Sequence, residues 1–288
     1  MSPPHTPSDT PFHDELATAT EAARSAGEIL RRFADDGVRY GYKANPERGR
    51  ELVSEADLEA DEAIHTVIRA AFPSDAYLSE EQEDDPARLK ADRVWIVDPL
   101  DGTREFLQGV PEYAVSIGFV VDGAPVVGAV YNPAQDELVA AAVGDGQLTE
   151  LSPVPTLAET QVLFGRGEWR WGGIPPLPEG TRALVVGSIA YRMALLARGT
   201  GGLLFTINQR KEWDIAAGAA LVLAAGATLT DLDGDPLVFN KPDPFAPAYI
   251  AANPTLHAAA LKLWRDSGWS LDRWNDDGWD DLSGAPSG

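Results

Sequence analysis

Residues Trp95 to Phe106 read WIVDPLDGTREF. The apolar run from Val94 to Val97 has the composition of a strand. It ends in Asp98, and a second carboxylate, Asp101, follows after Pro99 and Leu100. Gly102 and Thr103 come next, then a run able to start a helix. A strand that delivers two closely spaced carboxylates into a Gly-Thr turn suits a hard cation beside a phosphate. The carboxylates hold the metal, and the N–H groups of the turn face an anion. A plain surface turn also places Asp and Gly this way, so the reading depends on what else the chain supplies.

Two further acidic clusters supply it. Upstream, Ala76-Tyr-Leu-Ser79 reads as a short strand that runs into Glu80 and Glu81. Downstream, Glu212-Trp213-Asp214 opens a nearly uncharged segment, Ile215 to Ala225, rich in helix formers. A helix apolar on all sides is buried. Asp214 in its first turn is favoured by the helix dipole as a cap, and that role is compatible with binding a metal.

Composition narrows the chemistry. The chain has 288 residues, enough for one large or two modest domains, and is 44% hydrophobic, so it can bury a sizeable core. No apolar run reaches the length that spans a bilayer. The N-terminus, MSPPHTPSDTPFHDEL, lacks a basic then apolar signal pattern, so a soluble, cytoplasmic protein is expected. There are no Cys residues, which excludes disulfides, thiolate metal sites and Cys nucleophiles. The four His residues (His5, His13, His65 and His257) lie away from the motifs, and His65 reads as packing or surface. The ligands on offer are therefore oxygens, which favour Mg²⁺, Mn²⁺ or Ca²⁺. Net charge is −22, from 45 acidic against 23 basic residues. Such a surface repels nucleic-acid polymers and anionic membranes. Only five of the basic residues are Lys, and this acidic, halophilic pattern fits a salty cytoplasm in which self-repulsion is screened.

Along the chain, residues 1–11 are rich in Pro, Ser and Thr and expected to be loose. Phe12 to Asp35 has helical periodicity, Gly37 to Glu47 reads as a loop carrying Lys43, and Ser54 to Ala71 is a second helix. Strands are predicted at 76–79, 93–98, 113–121, 125–132 and 136–142, with Asp122-Gly123 as a hairpin turn. Leu151 to Gly180, dense in Pro and Gly, marks a boundary between an N-terminal α+β half (12–150) and a C-terminal α/β half (151–267). The second half is predicted as strands at 182–186, 203–207, 228–232 and 248–252, with helices at 188–197, from Asp214, and at 254–265. Residues 268–288 read as an acidic tail. Asp231-Leu-Asp233-Gly234 resembles the nucleophile loop of haloacid dehalogenase-like phosphatases. No core elements follow it to complete that fold, and a turn explains it better. It also fails as an EF-hand loop, because Pro236 stands where Gly is needed.

Taken together, Asp98-Pro-Leu-Asp101-Gly-Thr103, the Glu80-Glu81 pair after a strand, and Trp213-Asp214 opening an Ala/Gly-rich helix resemble the inositol monophosphatase superfamily of metal-dependent, lithium-sensitive phosphatases. The resemblance runs from about Phe12 to Leu263. Arg104-Glu105-Phe106, and Leu78-Ser79-Glu80-Glu81 in place of a Gly-Glu-Glu, are most like the 3′(2′),5′-bisphosphate nucleotidase (CysQ-like) branch. The resemblance implies an α/β (α+β) fold, a layered αβαβα sandwich, and two or three Mg²⁺ ions, with Mn²⁺ as a substitute and Li⁺ as an inhibitor. It implies that Glu80, Asp98 and the Leu100 carbonyl hold one ion, and that Asp98, Asp101 and Asp214 hold another. Thr103, paired with Glu80, would orient the attacking water, the N–H groups of Gly102 and Thr103 would bind the phosphate, and Asp57 would stand behind the site. The segment carrying Asp57 has Ser54 where the family usually has Thr, which keeps the hydroxyl.

The chemistry is coherent on its own terms. Two divalent ions about 3.5–4 Å apart clamp both ends of an in-line displacement and lower the pKa of bound water, so no Ser or Cys nucleophile is needed. Four acidic ligands nearly balance two such ions. Substrate choice is less legible. Lys43, Ser188, Asn208, Arg210 and Lys211 are the candidates, and the Arg210-Lys211 pair would suit a second phosphate. The expected reaction is 3′-phosphoadenosine 5′-phosphate to AMP and phosphate. The alternatives are an inositol-1-phosphate or other sugar-phosphate monophosphatase, and a binding-only family member. The partner is a small phosphorylated substrate, and the chain is expected as a monomer or homodimer.

Overall fold

The computed structural model describes residues 11–45, 49–152, 156–170 and 177–268. The expected loose N-terminus, up to residue 10, and the acidic tail, from residue 269, lie outside them. In chain order the elements are α1 (His13–Asp36), β1 (Tyr40–Asn45), β2 (Gly49–Ser54), α2 (Glu55–Ala71), β3 (Ala76–Ser79), β4 (Arg93–Asp101), α3 (Thr103–Leu107), β5 (Ala114–Val121), β6 (Ala124–Asn132), β7 (Glu137–Ala142), β8 (Gln161–Phe164), α4 (Arg166–Arg170), β9 (Arg182–Val185), α5 (Ile189–Ala197), β10 (Leu203–Thr206), β11 (Arg210–Lys211), α6 (Glu212–Ala224), β12 (Thr228–Asp231), β13 (Phe245–Ala246), β14 (Tyr249–Ala252) and α7 (Pro254–Asp266).

Two sheets organise the molecule, ordered β3-β4-β5-β6-β7 and β12-β14-β10-β8-β9. The pleat sends alternate residues of β4 to opposite faces. Trp95 and Val97 pack with α1 and α2, while Val94 and Ile96 pack with α5 and α6. The second sheet repeats the pattern. Leu204, Leu229 and Ala251 join the α5/α6 layer, while Phe205, Ile250 and Phe164 pack with Leu256 and Ala260 of α7 on the far side. The layers are therefore α1/α2, sheet, α5/α6, sheet, α7, which is the αβαβα sandwich.

Small residues make the central layer possible. α6 is buried along Ile215 to Val222 and lies against the first sheet. At Gly128 of β6, a Cβ would overlap the carbonyl oxygen of Ala217 and come within 3.0 Å of Leu221 Cγ. Gly128→Ala is therefore expected to destabilise the fold by about 1–3 kcal/mol, the usual range for overpacking. A guanidinium unfolding curve is the check; an unchanged midpoint would mean that α6 moves aside without cost.

Local signals placed most elements within a residue or two. Ser54 caps α2 in a capping box with Asp57, and Asp122 (φ 50°) and Gly123 (φ 78°) form the hairpin turn between β5 and β6. Asp231 Oδ1 accepts from the backbone N–H groups of Asp233, Gly234 and Asp235 at 3.0, 2.9 and 2.8 Å, so that stretch is a self-satisfied turn. His65 packs against Tyr77, with ring centroids 4.8 Å apart. Two expectations are corrected. The loop expected at 37–47 carries β1, which pairs antiparallel with β2, and the stretch 151–180 carries β8, which pairs in parallel with both β9 and β10. Both strands are short, and β8 has no polar alternation to betray it because three of its four residues are buried. Among the described residues no helix is long and apolar enough to cross a membrane.

Candidate active site

Parallel pairing of β3 with β4 sets Ser79 opposite Val97, so the next residues, Glu80 just past the end of β3 and Asp98 on β4, stand side by side. The Glu80 N–H donates to the Val97 carbonyl at 3.2 Å and holds that register past the end of β3. Asp98 and Asp101 are three apart, an offset that puts strand residues on opposite faces. The register against β5 shifts between them. An inserted residue of this kind re-aims the side chains that follow it, and Pro99, which has no N–H to donate to a ladder, sits inside the shift. The Leu100 N–H donates to Asp98 Oδ1 at 2.9 Å and tightens the turn.

Asp214 arrives from the other side, on the first turn of α6. Ser116, opposite Asp98 on β5, donates its hydroxyl to the Trp213 carbonyl at 3.1 Å and fixes where that helix begins. As a result, one carboxylate oxygen each from Glu80, Asp98 and Asp214 lies within 4.8 Å of the others. Asp101 stands beside them. Its Oδ2 accepts from the Ser188 hydroxyl and the Ala190 N–H, both at 2.6 Å, which leaves Oδ1 for another partner.

Electrostatics point to a cation. Burial raises the pKa of Asp98 well above the usual carboxylate range, and Glu80, Asp101 and Asp214 add their repulsion. Burial also raises Asp101, although Ser188, Ala190, Arg192 and Arg210 pull the other way. Carboxylates crowded like this repel one another unless positive charge separates them. An all-oxygen donor set of this kind fits hard divalent ions.

Behind the cluster, Asp57 is buried. Its Oδ2 accepts from the Ser54 N–H at 2.8 Å and the Ser54 hydroxyl at 2.5 Å. Burial raises its pKa against those bonds. Its Oδ1 accepts from the Thr103 hydroxyl at 3.1 Å, and that hydroxyl also lies 3.2 Å from the Leu100 carbonyl. The resemblance implied a pairing of Thr103 with Glu80; here the Thr103 hydroxyl makes hydrogen bonds to Asp57 and the Leu100 carbonyl. Gly102, with φ 97°, caps α3 in a left-handed conformation that a side chain would strain. Ser188 is the N-cap of α5, accepting from the Tyr191 N–H at 3.0 Å while it holds Asp101. Lys43 is on β1, opposite Glu51, and only its backbone position is described.

The basic pair is split. Arg210 and Lys211 are consecutive on β11, and consecutive strand residues point to opposite faces. The Lys211 ammonium lies 3.4 Å from the centre of the Phe245 ring and 5.4 Å from that of Trp213. Arg210 turns inward and donates to Glu168 Oε1 at 3.2 Å. Burial works against its charge, but Glu168, Asp214, Tyr249 and Asp101 outweigh that and raise its pKa.

Glu168 and Arg192 were not singled out in the sequence. Glu168 is fully buried, with its Oε2 accepting from Arg192 at 3.0 Å and from the Gly165 N–H at 2.8 Å, and with Oε1 accepting from the Thr206 hydroxyl. Burial pushes its pKa up, yet Arg192, Arg210, Thr206 and Gly165 bring it down to about 2. For Arg192 the signal was a charged residue inside the otherwise apolar run Ile189–Ala197; Glu168, between Arg166 and Arg170, offered none. Asp61 was missed too. It is buried on α2 and accepts from Ser79 at 2.5 Å, Tyr77 at 3.2 Å and Gln82 at 2.6 Å, bracketing Glu80 and Glu81.

Known proteins place this arrangement. A sequence model of the inositol monophosphatase family matches residues 13–268. The chain is 35% identical over 233 residues to inositol monophosphatase 2 of Solanum lycopersicum, covering 75% of this chain and 86% of that protein. It is 31% identical over 272 residues to the 3′-phosphoadenosine 5′-phosphate phosphatase of Mycobacterium leprae, covering 87% of this chain and 95% of that one. Its fold superposes on the extragenic suppressor protein suhB of Bartonella henselae with a TM-score of 0.74 at 27% identity, covering 88% of this chain and 98% of that structure. A match this long, with both relatives and fold in agreement, makes the chain a phosphatase and a member of the inositol monophosphatase family.

Proposed function

We propose that the chain hydrolyses a small phosphomonoester that carries a second phosphate, a 3′(2′),5′-bisphosphorylated nucleoside such as 3′-phosphoadenosine 5′-phosphate, giving AMP and phosphate. The observation that carries this reading is Arg210. It is held by Glu168 within electrostatic reach of Asp101 and Asp214, and its Nε is buried with no hydrogen-bond partner among the described residues. A guanidinium fixed beside the reaction centre with a donor to spare suits a second phosphate. A monophosphorylated polyol makes less use of it.

In this reading Glu80, Asp98, Asp101, Asp214 and the Leu100 carbonyl hold Mg²⁺, with Mn²⁺ substituting and Li⁺ inhibiting. Bound there, divalent cations would activate water and offset the charge that develops on the leaving oxygen. The chain's own groups do the rest. The Thr103 hydroxyl donates a hydrogen bond to Asp57, so its oxygen is left to accept a hydrogen bond from the attacking water and orient it. Ser188 and the Ala190 N–H fix one oxygen of Asp101, and the other would be left for a cation. The N–H groups of Gly102 and Thr103 meet the phosphate being transferred. Lys211, over its aromatic rings, is not needed for the second phosphate.

The runner-up is inositol 1-phosphate, supported by the likeness to the tomato protein. Phosphate release with Mg²⁺ decides between them. The expected result is a kcat/KM for 3′-phosphoadenosine 5′-phosphate at least about tenfold above that for inositol 1-phosphate. Arg210→Met is expected to raise KM for the bisphosphate about tenfold, the effect of losing one charge-assisted contact, and to change the monophosphate far less. A preference for inositol 1-phosphate, or equal loss on both substrates, would overturn the reading.

A further inference from the structure

Glu80 and Asp214 come from segments that share no sheet register, and the cluster works only if their spacing is held. Glu80 opens a loop that continues through Glu81, Gln82 and Glu83 to Asp84. Asp214 follows Glu212 at the start of α6. One buried side chain reaches from one to the other.

Arg88 sits in the short 3-10 turn Pro86–Lys90 and is only 2% exposed. Its Nε and Nη2 donate to the two carboxylate oxygens of Asp84 at 2.6 and 2.9 Å, a bidentate pair. Its Nη1 donates to Asn240 Oδ1 at 2.8 Å and to the Lys241 carbonyl at 3.0 Å. Asn240 Nδ2 returns a bond to the Arg88 carbonyl at 3.0 Å. The N–H groups of Asn240 and Lys241 then donate to the Glu212 carboxylate at 2.7 and 3.3 Å. Glu212 is buried, and its own N–H donates to the Pro244 carbonyl at 2.8 Å. Asn240 has φ 61°, a left-handed conformation retained where surrounding contacts over-determine it. The path runs without a gap from the loop after Glu80, through Asp84, Arg88 and Asn240, to Glu212, two residues from Asp214.

We propose that Arg88 is a positioning residue for the metal centre: it clamps the loop that follows Glu80 to the segment that opens α6 and so sets the spacing of Glu80 and Asp214. A buried guanidinium with both faces of its fork occupied has one low-energy arrangement, which transmits position rather than merely adding stability. Groups bonded directly to metal ligands typically change metal affinity ten- to a hundredfold when removed; Arg88, acting through Asp84 and Glu212, is expected at the lower end of that range. The inference rests on Glu80, Asp98 and Asp214 being metal ligands and not on which phosphomonoester is the substrate.

The test is Mn²⁺ binding, followed by the electron paramagnetic resonance signal of the free ion, with thermal melting of the metal-free protein alongside. Arg88→Met removes the clamp. Asn240→Gly is the milder variant: glycine accepts the left-handed backbone and keeps the bond to Glu212, but both side-chain bonds to Arg88 go. Arg93→Met is the control. Arg93 pairs with Asp75 and Glu15, both at 2.9 Å, at the opposite end of β4, about 17 Å of strand from Asp98. The expected result is Mn²⁺ binding at least about tenfold weaker in both clamp variants and unchanged in Arg93→Met, with turnover restored by excess Mn²⁺. Clamp variants that melt earlier yet bind Mn²⁺ as the parent does would overturn the proposal and leave Arg88 a purely structural residue. If Arg88→Met does not fold, Asn240→Gly decides alone. Undiminished Mn²⁺ binding by Asp98→Asn would overturn the ligand assignment and the clamp with it, whereas the substrate reading is judged separately by product.

Discussion

Asp98→Asn is expected to cut turnover at least about a thousandfold, equivalent to about 4 kcal/mol of barrier, while the chain stays folded. The position is buried among Glu80, Asp101 and Asp214, and each of them disfavours its charge. Asn has the same shape and can still accept from the Leu100 N–H, so the turn survives. What it lacks is the charge that, in the proposed metal centre, would bind the cation from the middle of the cluster. Removing one of four mutually repelling carboxylates also relieves the metal-free protein. Its melting temperature should therefore match or exceed that of the parent without Mg²⁺ and fail to rise when Mg²⁺ is added. Phosphate release together with paired melting curves checks this. A variant that keeps a tenth of the parent's activity, or one that Mg²⁺ still stabilises fully, would refute the assignment.

Glu168→Ala is expected to be the most destabilising single change near the site, by about 3–5 kcal/mol, because it strands a buried charge. Arg192 has only 1% of its side chain exposed and loses its carboxylate partner; Arg210, the Thr206 hydroxyl and the Gly165 N–H lose theirs as well. For a chain of this size the melting temperature should fall by roughly 10 °C. The same carboxylate gives stability a defined pH dependence. Its folded pKa, about 2, lies below the ordinary Glu value. A depressed pKa stabilises the fold above the unfolded value and loses that contribution as pH falls through the folded one. Glu168 thus contributes roughly 3 kcal/mol above about pH 5, and this is lost progressively toward pH 2. Melting curves of parent and variant from pH 7 to 3 should converge; a constant gap would show that the group is not held as a carboxylate.

The acidic cluster and most of the elements that carry it were legible in the sequence because the information is local. Helical periods, the Ser54–Asp57 cap, the Asp122-Gly123 turn and the apolar run ending at Asp98 each lie within one element. Three short acidic motifs also fixed the family. The strands that were missed are β1, β2, β8, β11 and β13: β1 and β2 pair only with each other, β11 and β13 are two residues long, and β8 is buried without alternation in polarity. The basic pair shows a different limit. Sequence adjacency suggested that Arg210 and Lys211 act together, but a strand turns neighbours to opposite faces: Arg210 turns to Glu168, while Lys211 lies over the Phe245 and Trp213 rings.

What the sequence determined by itself was therefore the carboxylates that cluster, the order of the elements and the class of chemistry, because each depends on residues a few positions apart. The tertiary structure alone decided how those carboxylates are held. Glu168 meets residues 24 and 42 positions away, and Arg88 meets Asn240 at a separation of 152. A charged residue in a buried segment has no partner written beside it. Desolvation demands a partner, but only the folded chain, by bringing distant segments into contact, selects which one it is.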